Sequence, residues 1–257
     1  MEKGKKTYFI SDMHLGLPTG IPSLEREKYV VRWMEQVKGD AAGLFVVGDI
    51  FDYWFEYKYV IPKGFTRFLG KVAEFTDAGI PVHFFTGNHD VWMFDYFPQE
   101  LGVEVHREPL VTEIGGKRFY IAHGDGLGPG DPGYKFLKKI FTNKTLQWLY
   151  KRLHPNFATW LALTWSRSRR DPESGEKEVD GAFMGEDKEK LILYAKELVQ
   201  REHYDFIVFG HRHLPIDFLL PGNTRLIILG DWLEHFSYAV YDGEGIELKH
   251  FDPSAGR

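Results

Sequence analysis

Cysteine is absent from the 257 residues. That excludes a disulfide framework and any thiolate metal site, and it agrees with a reducing compartment. No apolar run approaches the roughly 18 residues that a spanning helix needs. The opening MEKGKKTYFISD carries lysines but no apolar h-region, so no signal peptide is expected. A strong charge of one sign is also missing: the net charge of −5 gives no reason to expect a nucleic-acid partner. Internal repeats and low-complexity tracts are lacking, and nothing in the sequence sets an oligomeric state. What remains is an ordinary globular chain, 43% hydrophobic and 27% charged. It is long enough for one large or two small domains. A cytoplasmic location is expected, with attachment to a membrane surface at most.

Several short apolar runs each stop at a polar cluster: TYFISDMH, GLFVVGDIFD, PVHFFTGNHD, RFYIAHGD, FIVFGHRH and RLIILGDW. Their length and their content of Val, Ile and Phe suit strands covered on both faces. Helical spacing runs over 24–38, 65–78 and 186–202. The alternation indicates an α/β architecture, and SYAVYDGEGIELKHF reads as a closing hairpin around Asp242-Gly243. One region breaks the pattern. Between LGPGDPG and DPESGEKEVDG, roughly 127–187, apolar residues recur at helical spacing, which predicts a helical insertion bounded by Gly/Pro punctuation. From Gly133 to Arg170 this segment holds nine Lys or Arg and no acid, including Arg167, Arg169 and Arg170. The other 23 basic residues face all 37 acidic ones, so one basic segment sits on an acidic body.

Five polar clusters end the strands: Asp12-x-His14, Gly48-Asp49-x-x-Asp52, Gly87-Asn88-His89-Asp90, His123, and Gly210-His211-x-His213. Taken singly, each also has an ordinary reading as a turn, cap or structural histidine. Together they supply oxygen and imidazole donors without thiolate, a set that suits Mn²⁺, Fe²⁺ or Zn²⁺. If the chain stays extended, residues i and i+2 face one side, so each Asp-x-His or His-x-His pair would aim two ligands at one point. Seven candidates exceed one ion but match two that share a carboxylate. Two ions about 3.5–4 Å apart can clamp a phosphoryl group and generate hydroxide. Such sites form beyond the carboxyl ends of strands in open α/β sheets.

This five-part series, spanning Asp12 to His213, resembles the calcineurin-like metallophosphoesterases. The resemblance implies a four-layer αββα sandwich carrying a dinuclear metal site. It places Asp12, His14, Asp49 and His213 on one ion and Asp49, Asn88, His123 and His211 on the other, with Asp49 bridging. His89 would stabilise the transition state or protonate the leaving oxygen, oriented by Asp52. Two divalent ions are implied, with Mn²⁺ as the leading expectation and Fe²⁺ or Zn²⁺ as alternatives.

GDIFDYWFE, HGDGLGPGDPGYKFLKKIF and LGDW extend the resemblance to the UDP-2,3-diacylglucosamine hydrolases of lipid A biosynthesis over almost the whole chain, insertion included. It implies a core at 1–126 and 188–257 and a helical lid at 127–187. The implied activity is hydrolysis of the pyrophosphate of a nucleotide-sugar lipid, giving UMP and a diacylglucosamine 1-phosphate by attack of a metal-bridging hydroxide on the α-phosphorus. By motif position, Asp131 and Tyr134 match lid-base residues that contact substrate in that family. The mixture of Trp148, Trp160 and Trp165 with lysines and arginines independently suits a surface near anionic lipid. The expected location is therefore peripheral, on the cytoplasmic face of the inner membrane. Two departures stand out. The best-known branch has Arg where this chain has His89, and Thr and Arg where it has Arg212 and Leu214. The alternative is a phosphodiesterase or phosphatase of the same fold acting on a soluble nucleotide or another small phosphoester. A binding module that has lost catalysis would have lost ligands, and none is missing.

Overall fold

A computed structural model describes residues 4–128, 130, 132–170 and 182–255, with 167–170 as backbone only. The apolar runs fold as strands that alternate their side chains between two cores. In β1 (Lys6–Ile10) and β2 (Ala41–Val47), Tyr8, Ile10, Leu44 and Val46 face one side, whereas Phe9, Phe45 and Val47 face the other. The first side is covered by α1 (Ser23–Lys38) and α2 (Thr66–Asp77). These bury Val30, Trp33, Met34 and Val37, and Phe68, Leu69, Val72 and Phe75, at helical spacing. Parallel pairing continues from β2 to β3 (Val82–Phe85) and, past α3 (Tyr96–Leu101), to an edge strand β4 (Glu104–His106).

The second sheet contains β5 (Leu110–Ile114), β6 (Lys117–Ala122), β7 (Phe206–Phe209), β8 (Pro215–Leu219) and β9 (Arg225–Leu229), in the order β5-β6-β7-β9-β8. The hairpin β10 (Ser237–Tyr241) and β11 (Ile246–His250) returns to the first sheet beside β1. Phe119, Ile121, Phe206, Val208, Ile227 and Leu229 meet Phe9, Phe45 and Val47 between the sheets. On the far side, Ile207, Phe209, Leu226 and Ile228 pack under Leu191, Ile192 and Ala195 of α7 (Lys190–Arg201). The layers are thus helices, sheet, sheet, helix, as the αββα expectation had it. Strands β4, β5 and β8 and helix α3 were not foreseen. All three strands lie at sheet edges, where a short or half-exposed pattern carries little periodic signal.

Between β6 and α7 stand α4 (Pro132–Thr142), α5 (Lys144–Tyr150) and α6 (Pro155–Arg170). Asn143 starts α5 by accepting from the amides of Thr145 and Leu146 at 3.0 and 3.1 Å. The helix expected at 186–202 begins only at Lys190. Glu189 is turned back to accept from Met184 N at 3.1 Å and from Arg212 Nε at 2.9 Å. No helix among the described residues is long and apolar enough to cross a membrane.

Candidate metal centre

Strands β1, β2 and β3 of one sheet and β6, β7 and β9 of the other end at the same rim, and their terminal loops interlock across it. Trp232 N donates to Asp12 O at 3.1 Å, Gly210 N to His123 O at 2.9 Å, and His211 N to the Asp12 carboxylate at 2.9 Å. The backbone does not stay extended there. Asp12, His14, Asp49, His211 and His213 all have positive φ, between 42° and 66°. The convergence of the Asp-x-His and His-x-His pairs therefore comes from left-handed kinks and not from strand alternation. For non-glycine residues such kinks are strained, and surrounding structure must hold them. Arg26, fully buried on α1, is one such support: its guanidinium donates to the carbonyls of His14 and Leu17, each at 2.8 Å.

The side chains form two groups about one oxygen. Asp49 Oδ2 lies 3.6 Å from His14 Nε2 and 3.4 Å from His123 Nε2. On the first side, His14 Nε2 and His213 Nε2 face each other at 3.1 Å, and Asp12 Oδ1 is 3.2 Å from His213 Nε2. On the second side, His211 joins Asp49 and His123, and Asn88 Oδ1 lies 3.4 Å from His123 Nε2. The seven candidate residues thus lie together, with Asp12, His14 and His213 on one side of Asp49 and Asn88, His123 and His211 on the other. His123 Nδ1 donates to Val47 O at 2.8 Å, which leaves Nε2 facing Asp49 and Asn88.

Charge follows from this crowding. Burial alone would raise the Asp49 carboxyl, but the imidazoles of His123, His89 and His14 outweigh it and hold the group well below the ordinary carboxylate range. His123 is the counterpart. Burial opposes its charge, yet Asp49 raises it well above the usual imidazole value. Burial and the neighbouring His123 push His211 down. The donors fit a cation. Asp12 Oδ1 is buried and accepts no hydrogen bond, while nitrogen and carboxylate lone pairs converge on shared points.

His89 stands at the edge of the first group, its ring 4.9 Å from that of His14. Its Nδ1 donates to the backbone carbonyl of Asp52 at 3.2 Å, and the Asp52 carboxylate is 3.6 Å away. Asp52 therefore faces His89 with both its main-chain carbonyl and its carboxylate. Asp90, the last letter of Gly-Asn-His-Asp, was given no role from sequence. It proves to be a loop staple, accepting from the amides of Ile50 at 2.7 Å and Gly87 at 2.8 Å. Burial and repulsion from Asp49 push its carboxyl up to about 7. Glu56 does the same for α3, accepting from the amides of Phe94, Asp95 and Tyr96. Neither staple is recognisable without the loop it ties.

The glycines of the motifs are steric requirements. At Gly87 a Cβ would overlap the Asp49 carboxylate, and at Gly48, where φ is +85°, it would overlap the His123 ring. Gly87→Ala is expected to empty the site of metal and to destabilise the fold by about 1–3 kcal/mol. Gly70 of α2 has nothing within 4 Å of an added Cβ, so Gly70→Ala is expected to stabilise by about 0.5–1 kcal/mol with metal retained. Metal analysis and thermal melts of the two variants separate these outcomes.

Of the two lid-base residues, Asp131 lies outside the described residues. Tyr134 donates its hydroxyl to Asp125 at 2.5 Å, and Lys138 Nζ reaches the same carboxylate at 2.6 Å. Asp125, two residues beyond His123, thereby ties α4 to the fourth cluster. The helices also rest on the loops beside Asp52 and His89. Tyr150 hydroxyl is 3.1 Å from that of Tyr53, Trp92 Nε1 donates to Phe141 O at 2.9 Å, and Tyr150 stacks on Trp92 with centroids 5.2 Å apart. Arg212, which with Leu214 makes the second departure, is held by Glu189.

Comparison with known proteins agrees with this geometry. A protein of Porphyromonas gingivalis described as UDP-2,3-diacylglucosamine hydrolase is 42% identical over 259 residues, which cover 96% of this chain and 98% of its own. One of the same description from Aeromonas hydrophila subsp. hydrophila is 29% identical, covering 91% and 93%. The family model described as calcineurin-like phosphoesterase matches residues 5–215, from β1 through the last His pair. With that match spanning most of its length, the chain belongs to the calcineurin-like phosphoesterases.

Proposed function

We propose that the chain hydrolyses the pyrophosphate bond of UDP-2,3-diacylglucosamine at the α-phosphorus, releasing UMP and 2,3-diacylglucosamine 1-phosphate. The observation that carries the chemistry is the position of Asp49 Oδ2, within 3.6 Å of both His14 and His123, as a carboxylate shared between two cation sites requires. The substrate is supported by the near-complete alignment with the Porphyromonas gingivalis relative.

Asp12, His14, Asp49 and His213 would hold one ion and Asp49, Asn88, His123 and His211 the other, with Mn²⁺ proposed ahead of Fe²⁺ or Zn²⁺ for this nitrogen and oxygen set. When bound, such a pair lowers the pKa of water toward neutrality and neutralises charge on the phosphoryl oxygens. The remaining work falls to the chain. His89, with Nδ1 committed to Asp52 O, presents Nε2 as the proton donor to the departing oxygen or as a donor to the phosphoryl group.

Residues 127–187 are proposed as a lid on a core of 1–126 and 188–257, with Asp131 and Tyr134 at its base meeting substrate. Anchored on Tyr53 and Trp92, its helices hold Phe136, Trp148, Leu149, Phe157 and Trp160 exposed, each by half or more. An apolar and basic surface of this kind suits the edge of an anionic bilayer, and the proposed location is the cytoplasmic face of the inner membrane. Replacing both Trp148 and Trp160 by Glu is expected to weaken sedimentation with anionic vesicles about tenfold or more, since burying one large apolar side chain contributes about 1.5–3 kcal/mol. Turnover of a soluble phosphodiester should stay unchanged; equal vesicle binding by both proteins would remove the membrane role.

Incubation of Mn²⁺-loaded protein with UDP-2,3-diacylglucosamine, followed by chromatography for UMP, tests the reaction. Cleavage of soluble phosphodiesters with no UMP from the lipid would favour a nucleotide phosphodiesterase instead.

A further inference from the structure

A second convergence of metal-type donors lies away from the rim, where β4 closes the first sheet. Parallel pairing sets His83 opposite Glu104 and Phe85 opposite His106, so His83, Glu104 and His106 share one face. His83 Nδ1 and His106 Nε2 are 3.1 Å apart. Glu104 reaches both, with Oε2 3.3 Å from His83 Nδ1 and Oε1 3.7 Å from His106 Nε2. Ligands about 2.0–2.1 Å from a tetrahedral ion stand about 3.3–3.4 Å from one another. The three separations bracket that value.

The rings are fixed before any ion arrives. Phe45 stacks on His83 at 4.4 Å with an interplanar angle of 13°, and Phe85 stacks on His106 at 4.8 Å and 29°. Burial lowers both imidazoles, against the pull of Glu104, and His106 lowers His83 further. Both rings therefore keep lone pairs at neutral pH. Glu104 remains 66% exposed, so a fourth position faces solvent. None of the three residues belongs to the groups around Asp49.

We propose that His83, Glu104 and His106 form a separate site for one divalent transition-metal ion of the zinc class, with two imidazoles, one carboxylate and a solvent-filled fourth position. Two neutral imidazoles and a carboxylate suit Zn²⁺ better than Mg²⁺ or Ca²⁺, which favour all-oxygen shells. The ion would clamp edge strand β4 to β3, where backbone pairing spans only three residues. The next residue, Arg107, donates to the carbonyls of Met93 and Phe94 at 2.7 and 3.1 Å. The clamp thus steadies the loop on which the inserted helices rest.

The test is the number of zinc ions held by the full chain. Metal-stripped wild type, Glu104→Gln and His106→Gln are dialysed against Zn²⁺ alone, and bound zinc is read by mass spectrometry. Each variant is expected to hold one equivalent fewer than wild type and to keep wild-type turnover of a soluble phosphodiester with Mn²⁺. Glu104→Gln changes an exposed side chain, so its fold is preserved even if His106→Gln destabilises the edge. Equal zinc in wild type and Glu104→Gln would overturn the proposal and leave His83 and His106 sharing only a proton.

Discussion

Asp49→Asn is expected to abolish turnover and to lower bound metal, while the protein remains folded. The substitution removes the charge that both histidine groups share, because Asp49 Oδ2 faces His14 at 3.6 Å and His123 at 3.4 Å. Little else need change. Asparagine tolerates the left-handed backbone at this position better than most residues, and its carbonyl can still accept the His89 amide that now reaches Asp49 Oδ1 at 2.9 Å. Without the carboxylate, His123 loses the main partner that raises its pKa, while burial continues to favour its neutral form. Turnover, metal content and a thermal melt measured together check this. Full turnover in an Asp49→Asn protein that binds no metal would contradict the shared-carboxylate account.

His89→Ala is expected to lower kcat by about 10²–10⁴-fold, the usual contribution of a positioned general acid. Metal content should hold, because the contact between residue 89 and Asp49 is made by the backbone amide. The split between chemistry and metal distinguishes His89 from the ligands. Loss of metal in parallel with activity would make His89 a ligand, contrary to its placement against Asp52 O at 3.2 Å.

The architecture was legible because each strand run stops at a polar cluster, and β1, β2, β3, β6 and β7 do end at Asp12, Asp49, Asn88, His123 and His211. The candidate ligand set was legible for the same reason, since its residue types and order survive in the sequence whatever the loops do. How the ligands converge was not. Extended i, i+2 geometry was the expected device, whereas left-handed residues held by distant partners are the actual one. Arg26 shows why. Nothing in SLEREKYVV distinguishes a buried guanidinium that supports the His14 loop from an ordinary helix-surface arginine. Asp90 and Glu56 are similar, because a carboxylate that ties together several backbone amides is defined by the loop and not by its neighbours in sequence. Tyr134 stands out by motif position alone, and its bond to Asp125 is visible only in the fold.

Hydrolysis at the α-phosphorus of UDP-2,3-diacylglucosamine can be followed with an isotope. The Mn²⁺-loaded protein is allowed to turn over the lipid in H₂¹⁸O, and both products are weighed by mass spectrometry. Attack at the α-phosphorus places one ¹⁸O in UMP and none in the diacylglucosamine 1-phosphate. Label in the sugar phosphate, with unlabelled UMP, would contradict the account.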